Sequence, residues 1–251
     1  MATEMDVNKA ATNKAAIKLA YETIRSQVPW CHSPEMLHHR VTPYATLSPW
    51  LNDHEFLEVY HRIKNNTLVD IYRCFELWNL AKQSVKVKGN ILEVGVWRGG
   101  TGAILAEATK TCKIVYLADT FTGVVKAGPK DTKYTGGEHS DTSAVLVADL
   151  MRELQIQNFV LLQGVFPEET AHLVDDEISL LHCDVDVYAS CYDVVEWCLP
   201  KMPIGGVLVF DDYGFFGCEG VTVFCKELTK RFNLLFLHNL NGHGVFIKIK
   251  I

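Results

Sequence analysis

From residue 89 onward the chain alternates between short apolar runs and amphipathic stretches of helical length. The apolar runs fall at 90–94, 113–118, 158–163, 178–183, 206–210, 233–238 and 244–249. They are too short for typical helices and are bounded by turn residues, so they predict buried strands. The intervening pattern predicts helices near 101–110, 142–155, 189–199 and 218–231. Strictly alternating strands and helices imply an α/β fold with a parallel, doubly wound sheet. Only Asn239-Leu-Asn-Gly-His243 separates the last two strands. A link that short fits a hairpin and no crossover, so the seventh strand should run antiparallel.

Three helical stretches precede the first strand. Residues 8–27 carry Ala11, Ala15 and Leu19 at helical spacing, and 53–64 form a short second helix. Leu68, Ile71, Tyr72, Phe75, Trp78 and Leu80 give a third with a wide apolar stripe, which usually packs on a core. A Pro/His-rich stretch, roughly 29–50, reads as irregular. The expected organisation is an amino-terminal helical extension over 1–65 and an α/β domain over 66–251.

Composition narrows the function classes. Hydrophobic content of 48% and charged content of 22% belong to an ordinary globular protein. A net charge of -6, with no stripe of Lys and Arg among aromatics, argues against a nucleic-acid partner. No apolar run approaches the roughly 18 residues of a membrane span. Met1 to Lys18 is polar and mixed in charge, unlike a secretory signal. The eight cysteines form no CxxC pair and read as reduced thiols of a cytoplasmic protein. Cys191/Cys198 and Cys218/Cys225 are spaced to share a helix face, as packing residues do.

The candidate chemistry sits at strand ends. Gly206-Val-Leu-Val-Phe210 runs into Asp211-Asp212, and Ile178-Ser-Leu-Leu-His-Cys183 runs into Asp184. A parallel sheet brings such carboxylates together at the carboxyl ends of its strands, where these folds bind ligands. Clustered carboxylates repel, and a hard divalent cation such as Mg2+ would resolve the repulsion. The competing reading is that Asp211-Asp212 caps the next helix. Asp186 shares a face with Asp184 and is a supporting residue, a solvated one or a base. His182 has the same parity, and a His-x-Asp pair can bind metal. In an apolar strand, however, it reads first as a satisfied core histidine.

The front half carries a second signal. Strand 91–94 enters Gly95, Gly99 and Gly100 follow, and a helix starts at Thr101. Glycine permits a sharp turn and close approach to a ligand. The helix amino terminus points free N–H groups at it. Asp119 ends the second strand, where an acid commonly accepts from ribose hydroxyls. This half reads as an adenosine site, although such glycine-rich turns also serve NAD enzymes and plain packing. Trp97 either covers the ligand or only packs, and Phe166 is a candidate to touch adenine. The loop 119–142 holds five Gly or Pro residues with Lys126, Lys130, Lys133, Glu138 and His139. It reads as a lid or substrate loop. His139 is either a surface residue or a group that the lid brings inward.

Four segments together make a resemblance specific. They are Glu93-Val-Gly-Val-Trp-Arg-Gly-Gly100, Ala118-Asp-Thr-Phe-Thr-Gly123, Asp184-Val-Asp-Val-Tyr-Ala-Ser190 and Gly205-Gly-Val-Leu-Val-Phe-Asp-Asp-Tyr213. Over about 66–250 the chain resembles the TylF/MycF/NovP family, the macrocin-type sugar O-methyltransferases of antibiotic biosynthesis. The resemblance implies a class I methyltransferase fold: a Rossmann-like seven-stranded sheet with an antiparallel carboxyl-terminal hairpin. It implies S-adenosylmethionine as donor, Mg2+ as cofactor, and as acceptor a small hydroxylated molecule, first a sugar hydroxyl of a glycosylated natural product. By the same resemblance Asp184, Asp211 and Asp212 fall on metal ligands, and Asp184 on the general base, with Asp186 or His139 as alternatives. Glu93, Gly95, Val96, Trp97, Gly99, Thr101, Asp119, Thr120 and Phe166 fall on or beside the donor site. Relatives are dimers or larger, which implies a homo-oligomer.

The chain also departs from the family. The usual Asp-Gly-Asp reads Asp184-Val-Asp186, and the usual Tyr-Glu-Ser reads Tyr188-Ala-Ser190. Catechol-type enzymes, the second acceptor class, place a lysine base where Val187 stands. A nucleotide-dependent oxidoreductase and a non-catalytic module are the competing classes. The hairpin, the absence of GxGxxG and the acid cluster argue against them.

Overall fold

The computed structural model describes residues 47–250 continuously and, before them, residues 15–20, 22–23, 30–33 and 36–38. The chain divides into two compact units, Met1–Pro49 and Trp50–Ile251. In the first, residues 15–20 and 22–23 are helical; the rest of the predicted 8–27 helix lies outside the described residues. Trp30–Ser33 and Met36–His38 pair antiparallel, within the stretch read as irregular.

The second unit carries helices α1 (His54–Ile63) and α2 (Ile71–Ser84), and then the alternating part. Its strands are β1 (Asn90–Val94), β2 (Val115–Asp119), β3 (Phe159–Gln163), β4 (Ile178–Cys183), β5 (Val207–Phe210), β6 (Leu234–His238) and β7 (Gly244–Lys248). Helices α3 (Gly100–Thr109), α4 (Ala144–Glu153), α5 (Tyr188–Cys198) and α6 (Glu219–Leu228) connect them. Local chemistry sets the helix starts. Asp53 accepts from the Phe56 amide, Asp70 from those of Tyr72 and Arg73, and Ser143 from that of Leu146.

The sheet order is β3-β2-β1-β4-β5-β7-β6. Pairs among β1 to β5 are parallel, whereas β7 is antiparallel to both β5 and β6, as the short link required. Chain order reverses between β1 and β4, which opens a crevice at their carboxyl ends.

Side chains alternate across the sheet. Leu92, Leu181, Cys183, Leu208, Phe210 and Phe246 bury one face with α5 and α6. All four cysteines of the two spaced pairs are buried in that layer. Ile91, Leu117, Leu180, Val209 and Val245 bury the other face with α1, α2 and α3. Helix α1 contributes Phe56, Val59 and Ile63 to this second layer, within the compact unit Trp50–Ile251. No helix among the described residues is long and apolar enough to cross a membrane.

Candidate active site

One cleft opens over the carboxyl ends of β1, β2, β4 and β5. Gly95, Val96, Trp97, Thr101, Asp119, Thr120 and Phe166 line its front half, and Asp184, Asp186, Asp211 and Asp212 its back half. Tyr134 and His139 reach it from the 119–142 loop. Glu93 and Gly99 do not line it. Glu93 is fully buried, on the sheet face that packs against α2 and α3, with Oε1 2.8 Å from His182 Nδ1. Gly99 caps α3 in a left-handed conformation. Glu93 precedes the rim by one residue, and its parity turns it under the floor.

Gly95 explains how the two halves meet. It has φ +89, and a Cβ there would lie 1.7 Å from the carbonyl oxygen of Asp184. Only a residue without a side chain lets β4 deliver Asp184 this close to the end of β1. The turn beyond Gly95 is held by Asp119. Its Oδ2 accepts from the amides of Val96 at 2.7 Å and Trp97 at 2.8 Å, and its Oδ1 accepts from Phe121 at 2.6 Å. The acid that was read as a ribose acceptor thus also fastens the glycine-rich turn. Trp97 sends its indole N–H outward to Asp141 at 2.8 Å and stacks on Arg98. Phe166 is buried edge-on against Trp197.

The acids converge. Asp184, Asp211 and Asp212 each offer a carboxylate oxygen within 4.8 Å of the others. Asp211 is fixed on both oxygens: His243 Nε2 lies 2.8 Å from Oδ1, and Arg73 Nη1 donates to Oδ2. Arg73 Nη1 also lies 3.6 Å from Asp212 Oδ1, and Arg73 Nε donates to Asp70 at 2.9 Å. His243 Nδ1 is held in turn by Glu76 at 2.7 Å, and Asn241 donates to the same oxygen at 2.7 Å. Arg73, Glu76 and His243 were not singled out from the sequence. Arg73 and Glu76 are charged positions inside the apolar stripe of α2, and His243 lies in the β6–β7 turn. Those interruptions were the available signal.

Electrostatics separate the three acids. Burial, and then the charges of Asp211, Asp212 and Asp186, push Asp184 well above the ordinary carboxylate range. Burial and the charge of Asp211 push Asp212 up to about 8. Burial would raise Asp211 too, but its bond to His243 and the Arg73 charge hold it at about 2. One arginine and one histidine therefore neutralise one acid, and two remain short of positive charge. Hard oxygen donors in that state fit a hard divalent cation such as Mg2+. Asp186 and Asp212 hold left-handed backbone conformations, φ 63 and φ 60, an uncommon arrangement that clusters at functional sites.

The 119–142 loop is folded against this site and fastened at several points. Lys126 pairs with Asp193 at 2.6 Å and with Glu168, and Asp131 accepts from the Tyr188 amide at the start of α5 at 2.9 Å. Ser190, in the departed Tyr-Ala-Ser segment, donates to the Val125 carbonyl at 3.1 Å. Tyr134 Oη stands 3.3 Å from His139 Nε2, and both residues line the cleft that holds the acids.

A cleft at the reversal point of this sheet, with an antiparallel seventh strand, defines a class I methyltransferase fold. The macrocin-O-methyltransferase (TylF) profile matches residues 65–244, and the chain belongs to that family. The oxidoreductase alternative falls with that assignment. A relative from Streptomyces olivaceus, 8-demethyl-8-(2,3-dimethoxy-alpha-L-rhamnosyl)-tetracenomycin-C 4'-O-methyltransferase, is 27% identical over 64% of this chain and 66% of its own length. Demethyldecarbamoylnovobiocin O-methyltransferase of Streptomyces niveus is 28% identical over 51% of this chain and 53% of its own. The chain thus spans about half to two thirds of these relatives. The solved structure of the O-methyltransferase NovP shares the fold, with a TM-score of 0.63 at 22% identity, covering 74% of this chain and 83% of that one.

Proposed function

We propose that the chain is an S-adenosylmethionine- and Mg2+-dependent O-methyltransferase acting on a sugar hydroxyl of a small glycosylated natural product. The observation that carries this reading is the convergence of Asp184, Asp211 and Asp212 in the same cleft as the glycine-rich turn. The sugar acceptor draws on the relative whose name specifies a rhamnosyl 4'-hydroxyl. A cytoplasmic location belongs to the same reading.

Methyl transfer to oxygen is an in-line displacement, so the protein must align the acceptor and make it nucleophilic. When bound, S-adenosylmethionine supplies the methyl group and Mg2+ acidifies a coordinated hydroxyl. Gly95, Val96, Trp97, Thr101, Asp119, Thr120 and Phe166 would hold the donor, and Asp184, Asp211 and Asp212 the cation. Asp184, which lines the cleft among the acids, is placed to take the acceptor proton. Tyr134 and His139, on the 119–142 loop, line the same cleft.

Two assays test the reading. S-adenosylhomocysteine should raise the melting point while NAD and NADP leave it unchanged. Transfer to a glycosylated acceptor should stop in excess EDTA and in Asp184→Asn. Full transfer under either condition overturns the metal role. Stabilisation by NAD alone overturns the donor assignment.

A further inference from the structure

Behind Asp211, on the sheet face covered by α2 and α3, two histidines converge that the proposed transfer does not use. His182 of β4 and His243 are both fully buried, with ring centroids 6.0 Å apart. Each has a carboxylate on Nδ1: Glu93 at 2.8 Å behind His182 and Glu76 at 2.7 Å behind His243. Those contacts fix both rings through Nδ1 and leave Nε2 as the atom each ring can offer. His243 Nε2 faces Asp211 Oδ1 at 2.8 Å. His182 Nε2 has no hydrogen-bond partner despite complete burial. The ligating atoms of His182, Asp211 and His243 lie within 4.8 Å of one another.

A buried polar atom without a partner is uncommon and asks for an explanation. Charge asks the same question, because Glu76, Glu93 and Asp211 surround this pocket. Arg73, the nearby guanidinium, is already shared among Asp70, Asp211 and Asp212. We propose that His182 Nε2, His243 Nε2 and Asp211 Oδ1 form a second, buried site for a borderline divalent metal ion of the Zn2+ class, which shares only Asp211 with the cleft acids.

The donor chemistry supports the choice of ion. Imidazole nitrogen suits Zn2+ and its neighbours, whereas the all-oxygen cluster in the cleft suits Mg2+. Metal-bound histidines characteristically donate their second ring N–H to a carboxylate, and both do so here. Two histidines and one carboxylate are a common set of three protein ligands for zinc. The two oxygens of Asp211 divide the work, with Oδ1 toward the histidines and Oδ2 toward Arg73 and the cleft. Ion binding displaces the proton that lies between His243 Nε2 and Asp211 Oδ1, and that proton leaves to solvent.

The test is a titration of the metal-stripped full chain with Co2+, read by visible absorption and calorimetry. One equivalent should give the intense bands of a coordination lower than octahedral, unlike an ion on the all-oxygen cleft acids, and Zn2+ should displace it. The bands should persist in Asp184→Asn, which removes a cleft ligand only. They should vanish in His182→Gln, whose fold is checked by its melting curve. If that variant does not fold, Glu93→Gln should weaken Co2+ binding about tenfold or more through the lost carboxylate backing. Absence of such bands in the wild type overturns the site, as does unchanged Co2+ binding in the folded His182→Gln or, in its place, Glu93→Gln variant. Methyl transfer is not a readout here, so this outcome is independent of the proposed activity.

Discussion

Arg73, on α2, and Asp211, at the end of β5, form a buried ion pair across 138 residues of sequence. The pair ties the helical entry of the compact unit to the floor of the cleft. Asp70 and Asp212 share the guanidinium, and Phe215 lies over it at 4.8 Å. Breaking such a pair from one side leaves a buried charge uncompensated, which costs about 3–5 kcal/mol. Arg73→Met and Asp211→Ala should each destabilise the chain by that order in chemical denaturation. A loss under 1 kcal/mol in either contradicts the pairing. It follows that Asp212→Asn probes the cation role more cleanly than any Asp211 variant or than Asp184→Asn, which also removes the base.

Gly95 makes a second prediction. A Cβ at this position meets the Asp184 carbonyl, and φ +89 is strained for any other residue. Backbone strain of this kind costs about 1–3 kcal/mol, and the clash must also part the ends of β1 and β4. Gly95→Ala should lower the melting point and abolish stabilisation by S-adenosylhomocysteine. Wild-type behaviour on both counts contradicts the close approach.

Asp119 fastens the glycine-rich turn through the backbone amides of Val96 and Trp97, and its other oxygen accepts from Phe121. Asp119→Ala leaves those donors without their acceptor and frees the turn. Affinity for S-adenosylhomocysteine, measured by calorimetry, should fall at least tenfold, about 1.4 kcal/mol. An unchanged dissociation constant would show that the turn holds its shape without the carboxylate.

Glu138 supplies a pH dependence. Its carboxylate accepts from the Thr135 and Gly136 amides, which hold it at about 2, below the ordinary value. A depressed folded value means that the contribution is complete above the unfolded value of about 4.3 and is lost as pH falls toward 2. Amide protection in the 119–142 loop should therefore drop across that window. Glu138→Gln should show low protection already at neutral pH and lack that step. An identical pH profile in the variant contradicts the clip.

Much of this arrangement was legible in the sequence because it is local. Asp184 and Asp211-Asp212 terminate short, mostly apolar runs bounded by turn residues, so their place at strand ends followed from pattern alone. The link Asn239–His243 could only be a turn, so the direction of β7 followed from its length. Arg73, Glu76 and His243 were hidden because their partners are distant in sequence. An apolar stripe shows that α2 packs, not which of its charged positions meets an acid. Glu93 shows the complementary limit: its alignment suggested the donor site, while strand parity turned it toward His182. The carboxylate of Asp119 could be placed at a strand tip, but its capture by the turn amides depends on how Gly95 bends the chain.

The central claim is that Asp184, Asp211 and Asp212 grip a cation beside the methyl donor. The most direct test is anomalous diffraction from crystals grown with S-adenosylhomocysteine and Mn2+ in place of Mg2+. The account predicts an anomalous peak within coordination distance of Asp184, Asp211 and Asp212, with the homocysteine sulfur in the same cleft. A cleft that holds S-adenosylhomocysteine with no peak among those acids would contradict it.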